Sequence, residues 1–142
     1  MILLASDHGG FHLKQEIAAF LAERGEAVND LGTDGEASVD YPEFGRALAE
    51  QVGGGSDARG ILFCGTGIGM SITANRYRGV RAALVHDNYT ARMAKAHNNA
   101  NVLVLGGRVV GPGVAEDMVE TWLKTKFEGE RHQERLDMID EC

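Results

Sequence analysis

The sequence predicts an α/β domain in which a parallel sheet is covered by helices on both faces. Short runs such as Ile61-Leu62-Phe63-Cys64 are apolar at every position, as strands buried on both sides are. Each run ends in a turn and is followed by a stretch of helical period, so strand and helix alternate as βαβ units. At 142 residues the chain suits one domain, 1–142, rather than two. A chain of that size removes roughly 68–70% of its unfolded surface from water and needs no staples.

Ile2 to Ala5 is the first strand, ended by Ser6-Asp7-His8-Gly9-Gly10. Leu13, Ile17, Phe20 and Leu21 recur at i, i+4, i+7 and i+8, one face of a helix, and Gly25 stands where a C′ glycine stops it. Ala27 to Leu31 is a weaker second strand. Pro42 suits the first turn of a second helix, with Phe44, Leu48 and Val52 on one face and Gly53-Gly54-Gly55 closing it. Ile61 to Cys64 is the third strand. The turn Gly65-Thr66-Gly67-Ile68-Gly69 then leads into a short helix through about Asn75. Ala82 to Val85 is the fourth strand, followed by a helix from Asn88 to about His97. Val102 to Leu105 is the fifth, followed by Gly106-Gly107 and a helix from about Gly113 to Lys124. A polar helix from about Glu130 to Ile139 has no strand after it.

These elements predict a single three-layer α/β/α, Rossmann-like domain with a five-stranded parallel sheet and a C-terminal helical arm. Strand order is left open by one sequence. Ligands of such sheets bind beyond the carboxyl ends of the strands. Asp7-His8, Cys64 through Gly69, His86-Asp87 and Gly106 through Arg108 all fall there.

The 14 basic and 21 acidic residues leave a net charge of −7, which argues against a nucleic-acid or anionic-membrane surface. An anionic ligand must therefore be met by a local patch of arginine. Apolar runs are too short for a transmembrane helix. The start, Met1 to Asp7, lacks a basic n-region and meets a charge too soon for a signal peptide. Cys64 and Cys142 make no disulfide framework, and the chain reads as cytosolic.

Cys64-Gly65-Thr66-Gly67-Ile68-Gly69 is the most informative segment. Alternating glycines between a strand and a helix let backbone N–H groups converge on an oxyanion. A thiol at the strand's end faces the same helix start. A base beside a nest of donors is what proton abstraction next to a carbonyl requires. The same residues also fit a tight turn with a buried, inert cysteine. A dinucleotide fingerprint starting at Gly65 fails, because its third glycine or alanine would fall on Met70. No Lys-Ser/Thr follows the glycines, so there is no P-loop. His8 and His12 are spaced to share a helix face, but no H-E-x-x-H accompanies them and no metal is expected. Asp7 fits an N-cap of the first helix as well as a site.

His97-Asn98-Asn99-Ala100-Asn101 is dense in polar groups between a helix and a strand, a pattern that asparagine C-capping also explains. Arg131 and Arg135 are i, i+4 on the last helix and share a face. Paired arginines suit phosphate, which they bind in bidentate fashion, although Glu134 and Asp137 alongside equally fit a solvated helix. Arg108 points to the same end of the sheet as Cys64.

With these segments in view, the chain resembles the type B ribose-5-phosphate isomerases, a family that includes galactose-6-phosphate and allose-6-phosphate isomerases. The matching segments are Ser6 to Gly10, Asp40-Tyr41-Pro42, Cys64 to Gly69, His97-Asn98, Asn101-Val102, Gly107 to Gly111 and Arg131-His132-Gln133-x-Arg135. The resemblance implies interconversion of ribose 5-phosphate and ribulose 5-phosphate through an enediolate, with no metal or other cofactor. Cys64 would be the base, and His97 would open the sugar ring. Thr66 and the amides of Gly65, Thr66, Gly67, Ile68 and Gly69 would stabilise the enediolate oxygen. Asp7, His8 and Asn98 would hold hydroxyls, with the phosphate as the alternative partner of His8; Arg108, Arg131 and Arg135 would clamp the phosphate, and Tyr41 would line the pocket. Some members place Glu at the position of Met70 and lack the cysteine; this chain has the cysteine and no Glu there. The resemblance further implies a homodimer or tetramer with sites shared between subunits, to which the final helix would be an exchanged arm. A non-catalytic module binding a phosphorylated ligand is the other function class, and the expected substrate length stays open among tetrose, pentose and hexose phosphates.

Overall fold

The computed structural model describes all residues, 1–142. Its strands are β1 (Ile2–Ser6), β2 (Val28–Asp30), β3 (Arg59–Cys64), β4 (Ala82–Leu84) and β5 (Val102–Gly106). Its helices are α1 (Phe11–Glu23), α2 (Tyr41–Gly53), α3 (Ile68–Ala74), α4 (Asn88–Ala96), α5 (Pro112–Lys124) and α6 (Arg131–Asp140), with a 3₁₀ turn at His8–Gly10 ahead of α1. All strand pairs are parallel, in the order β2-β1-β3-β5-β4. The expected elements are all present, with boundaries moved by one or two residues. β2 is the shortest departure, three residues instead of five, because only Val28 of it is partly buried and the rest is exposed.

Period-two alternation along the strands sorts the core into two layers. Ile2, Leu4, Ile61, Phe63, Leu103 and Leu105 face α1, α4 and α5, where Ile17, Leu21, Met118 and Trp122 are buried. Leu3, Ala5, Leu62, Cys64, Val102 and Val104 face α2 and α3, where Leu48, Val52 and Met70 are buried. Trp122 is fixed by donating its indole N–H to the Ala100 carbonyl at 2.9 Å. The chain leaves β1 toward β2 and leaves β3 toward the opposite edge, so the order reverses between these two central strands. In sheets of this kind such a reversal marks the ligand-binding crevice, beyond the carboxyl ends of the two strands. No helix is long and apolar enough to cross a membrane.

Candidate active site

The crevice is lined from both central strands. β1 delivers Asp7 and His8; β3 delivers Cys64 and the glycine loop. Asp7 is 7% exposed, and one carboxylate oxygen accepts from the Gly10 N–H at 3.1 Å, so it caps the turn that follows β1. Capping and a place in the crevice are thus compatible. The His8 Nδ1 accepts from the Val39 N–H at 3.2 Å. An accepting Nδ1 leaves Nε2 as the N–H donor of the neutral ring, aimed by the loop before α2.

Cys64 is 5% exposed and belongs to the α2–α3 core layer. Its sulfur accepts from the Gly67 N–H at 3.1 Å. Gly67 has φ +85°, and a Cβ there would lie 2.5 Å from Leu84 Cδ1, so this turn requires glycine. The Ile68 N–H donates to the Thr66 hydroxyl oxygen at 3.2 Å. The amides of Gly65, Thr66 and Gly69 donate to nothing within the chain, which leaves three N–H groups beside the thiol. Tyr41, 38% exposed, packs its ring over Gly69, where any side chain would collide with it. From β5 the chain turns back over this loop: the Arg108 N–H donates to the Gly65 carbonyl at 2.9 Å, and its guanidinium lies over Gly65. Arg108 is exposed and makes no ion pair in the chain. Asp87, by contrast, is occupied in a capping box with Thr90 at the start of α4. The hydrogen bonds from the Thr90 backbone and hydroxyl hold its carboxyl below the usual range.

The remaining expected residues sit elsewhere. His97 caps the carboxyl end of α4, and α4 runs back from the end of β4 toward the beginning of β5. Asn101 pins this corner to the starts of the strands: its carbonyl accepts from the Gly60 N–H at 2.9 Å and its side chain accepts from the Arg81 N–H at 2.8 Å. His97 and Asn98 therefore stand at the amino end of the sheet. Cys64 stands at the carboxyl end, roughly 13 Å of strand away at 3.3 Å per residue. α6 starts at the amino end as well, since the Glu128 N–H donates to the Ala96 carbonyl at 2.9 Å. Arg131 and Arg135 are exposed there, and neither makes an ion pair in the chain. Within one chain the site residues thus form two groups at opposite ends of the sheet.

Two residues to which the sequence assigned no role join the second group. The His132 ring stacks on His97, centroids 4.1 Å apart and planes 13° from parallel. Glu128 Oε1 lies 3.7 Å from His97 Nε2 and 3.5 Å from His132 Nε2. Burial, with the adjacent His97 and Arg131, holds the His132 imidazole below its ordinary range. Glu128 and His132 are i, i+4 in the sequence, but nothing in the spacing ties them to His97; only the return of α6 beside α4 does. His12 is exposed and pairs with Glu36 rather than with His8.

Relatives of known structure share this arrangement of elements. Ribose-5-phosphate isomerase B of Clostridium thermocellum is 55% identical and superposes with a TM-score of 0.95, covering 99% of this chain and 95% of its own. The crystal structure of the Mycoplasma genitalium ribose-5-phosphate isomerase B with bound ribulose 5-phosphate is 44% identical, with a TM-score of 0.95 over 99% of this chain and 93% of its own. Ribose-5-phosphate isomerase B of Escherichia coli is 46% identical over 138 residues, 97% of this chain and 93% of that protein. The sequence profile described as Ribose/Galactose Isomerase matches residues 2–139. With nearly the whole chain matched, by profile and by fold alike, the protein belongs to the ribose/galactose isomerase family.

Proposed function

We propose that the protein interconverts ribose 5-phosphate and ribulose 5-phosphate, and that each site is built from the carboxyl-end group of one chain and the amino-end group of another. The reading rests on one observation: the chemistry is complete in the sequence but split across the sheet. Cys64, Asp7, His8, Thr66 and Arg108 lie at one end. His97, Asn98, Arg131 and Arg135 lie at the other. A symmetric homo-oligomer that brings one chain's first group against its partner's second group makes whole sites without moving the fold.

In such a site the steps follow from the groups. His97 supplies a proton to the ring oxygen as the C1 hydroxyl loses one, the C1–O bond breaks, and the open aldehyde forms. Cys64 as thiolate takes the proton from C2, and the electron pair moves to make the C1–C2 double bond while negative charge reaches O1. The amides of Gly65 to Gly69 and the Thr66 hydroxyl meet that charge. The O2 proton passes to O1, and the thiol returns its proton to C1 to give the ketose. Asp7, His8 and Asn98 hold hydroxyls; Arg108, Arg131 and Arg135 hold the phosphate. No step calls for a metal or cofactor.

A panel of tetrose, pentose and hexose phosphates, assayed with and without EDTA, tests this reading. Ribose 5-phosphate should yield ribulose 5-phosphate at least about tenfold faster than the others, since a misfitted carbon costs on the order of 1–3 kcal/mol. EDTA should not lower the rate. Turnover of none of them would make the protein a binding module instead.

A further inference from the structure

We propose that His97, Glu128 and His132 form a binding site for a divalent transition metal of the Zn²⁺ type, and that the bound ion takes His97 out of ring opening. The ligand atoms of these three residues all lie within 4.8 Å of one another. Glu128 stands between the two imidazoles, 3.5 Å from one Nε2 and 3.7 Å from the other. Neighbouring ligand atoms of a tetrahedral Zn²⁺ with bonds of about 2.0–2.2 Å sit roughly 3.3 Å apart, so these two separations are close to what an ion needs. The second observation is independent. His132 is only 6% exposed, and its Nε2 is buried with no hydrogen-bond partner. A buried ring nitrogen left without a partner is costly, and a metal is one partner that satisfies it.

The donor set chooses among ions. Two imidazoles and one carboxylate suit Zn²⁺ and its neighbours, whereas Mg²⁺ and Ca²⁺ prefer all-oxygen sites. An ion must lie near both ring planes, so the 13° stack has to open. His97 is the ring to turn, because its side chain is 37% exposed and no hydrogen bond holds it. Arg131 and Arg135 on the same helix oppose a dication, which makes this a reversible site rather than a structural one. The metal claim concerns these residues alone; its effect on turnover rests on the ring-opening role proposed above for His97.

Zn²⁺ titrated against a chromophoric chelator, in the intact oligomer carrying Cys142→Ser, reads the site directly. One ion per chain is expected, weakened at least about tenfold by Glu128→Gln and by His132→Gln. It should persist in Cys64→Ser, which separates it from binding at the thiol. Unchanged affinity in both the Glu128 and His132 variants, or loss of all binding in Cys64→Ser, would overturn the proposal. Zn²⁺ should also lower turnover of ribose 5-phosphate at least about tenfold in the wild type, with EDTA restoring the rate, and in Glu128→Gln the same fractional loss from that variant's own metal-free rate should need at least about tenfold more Zn²⁺. Metal binding with the predicted dependence but no effect on turnover would keep the site and remove His97 from ring opening.

Discussion

The Gly67 N–H donates to the Cys64 sulfur across 3.1 Å, which ties the thiol to the one turn that also exposes the unpartnered amides of Gly65, Thr66 and Gly69. Base and oxyanion donors are thereby set by a single backbone feature, and Gly67 at φ +85° is what permits it.

Removal of the base should then be visible in kcat. Cys64→Ala should lower kcat by roughly 100-fold or more with KM nearly unchanged, as loss of a general base does. Cys64→Ser keeps the shape without an accessible anion and should be nearly as poor. Steady-state kinetics of both variants check this; near-normal turnover in either removes Cys64 from the chemistry.

Ring opening has its own signature, because it also proceeds slowly without enzyme. In His97→Ala, conversion of ribose 5-phosphate should stop rising with enzyme concentration once spontaneous opening becomes limiting. Conversion of ribulose 5-phosphate, which has no furanose ring to open, should keep rising in proportion. Proportionality in both directions, with equal losses, would assign His97 a structural role.

How much of this was legible in the sequence depended on range. Continuous apolar runs and the glycines after them report strands, turns and the residues at the strands' carboxyl ends, so the sequence alone places Asp7, Cys64 and Arg108 together. Those are properties of backbone direction and period. The partition of the site was not legible. His97 ends a helix rather than a strand, and only the path of α4 back along the sheet puts it at the far end. Strand order was hidden for the same reason, since a β3-to-β4 crossover that skips a place leaves no local mark. Val39 against His8 and His97 against His132 are long-range contacts with no periodic signal.

The buried His132 should make stability depend on pH in a definite direction. Its folded-state affinity for a proton is lowered, first by burial and then by His97 and Arg131. Below about pH 6.5 the unfolded chain therefore takes up a proton that the folded chain resists, so stability falls as pH drops through that value and levels off once the folded group also titrates. Melting temperatures at about pH 7.5 and about pH 5.5 should differ more in the wild type than in His132→Gln. Equal differences would show that His132 does not titrate with folding.

Subunit mixing tests the divided site most directly. Cys64→Ala damages the carboxyl-end group, and Arg135→Ala damages the amino-end group through loss of a charge-assisted contact of about 1.5–3 kcal/mol. Each variant alone should be nearly inactive. In a mixed dimer one site carries both lesions and the other carries none. Random equimolar exchange makes half the dimers mixed and leaves half their sites intact, so activity should recover to about a quarter of wild type. If every site comes from one chain, mixing restores nothing, and no recovery after verified exchange would contradict the account.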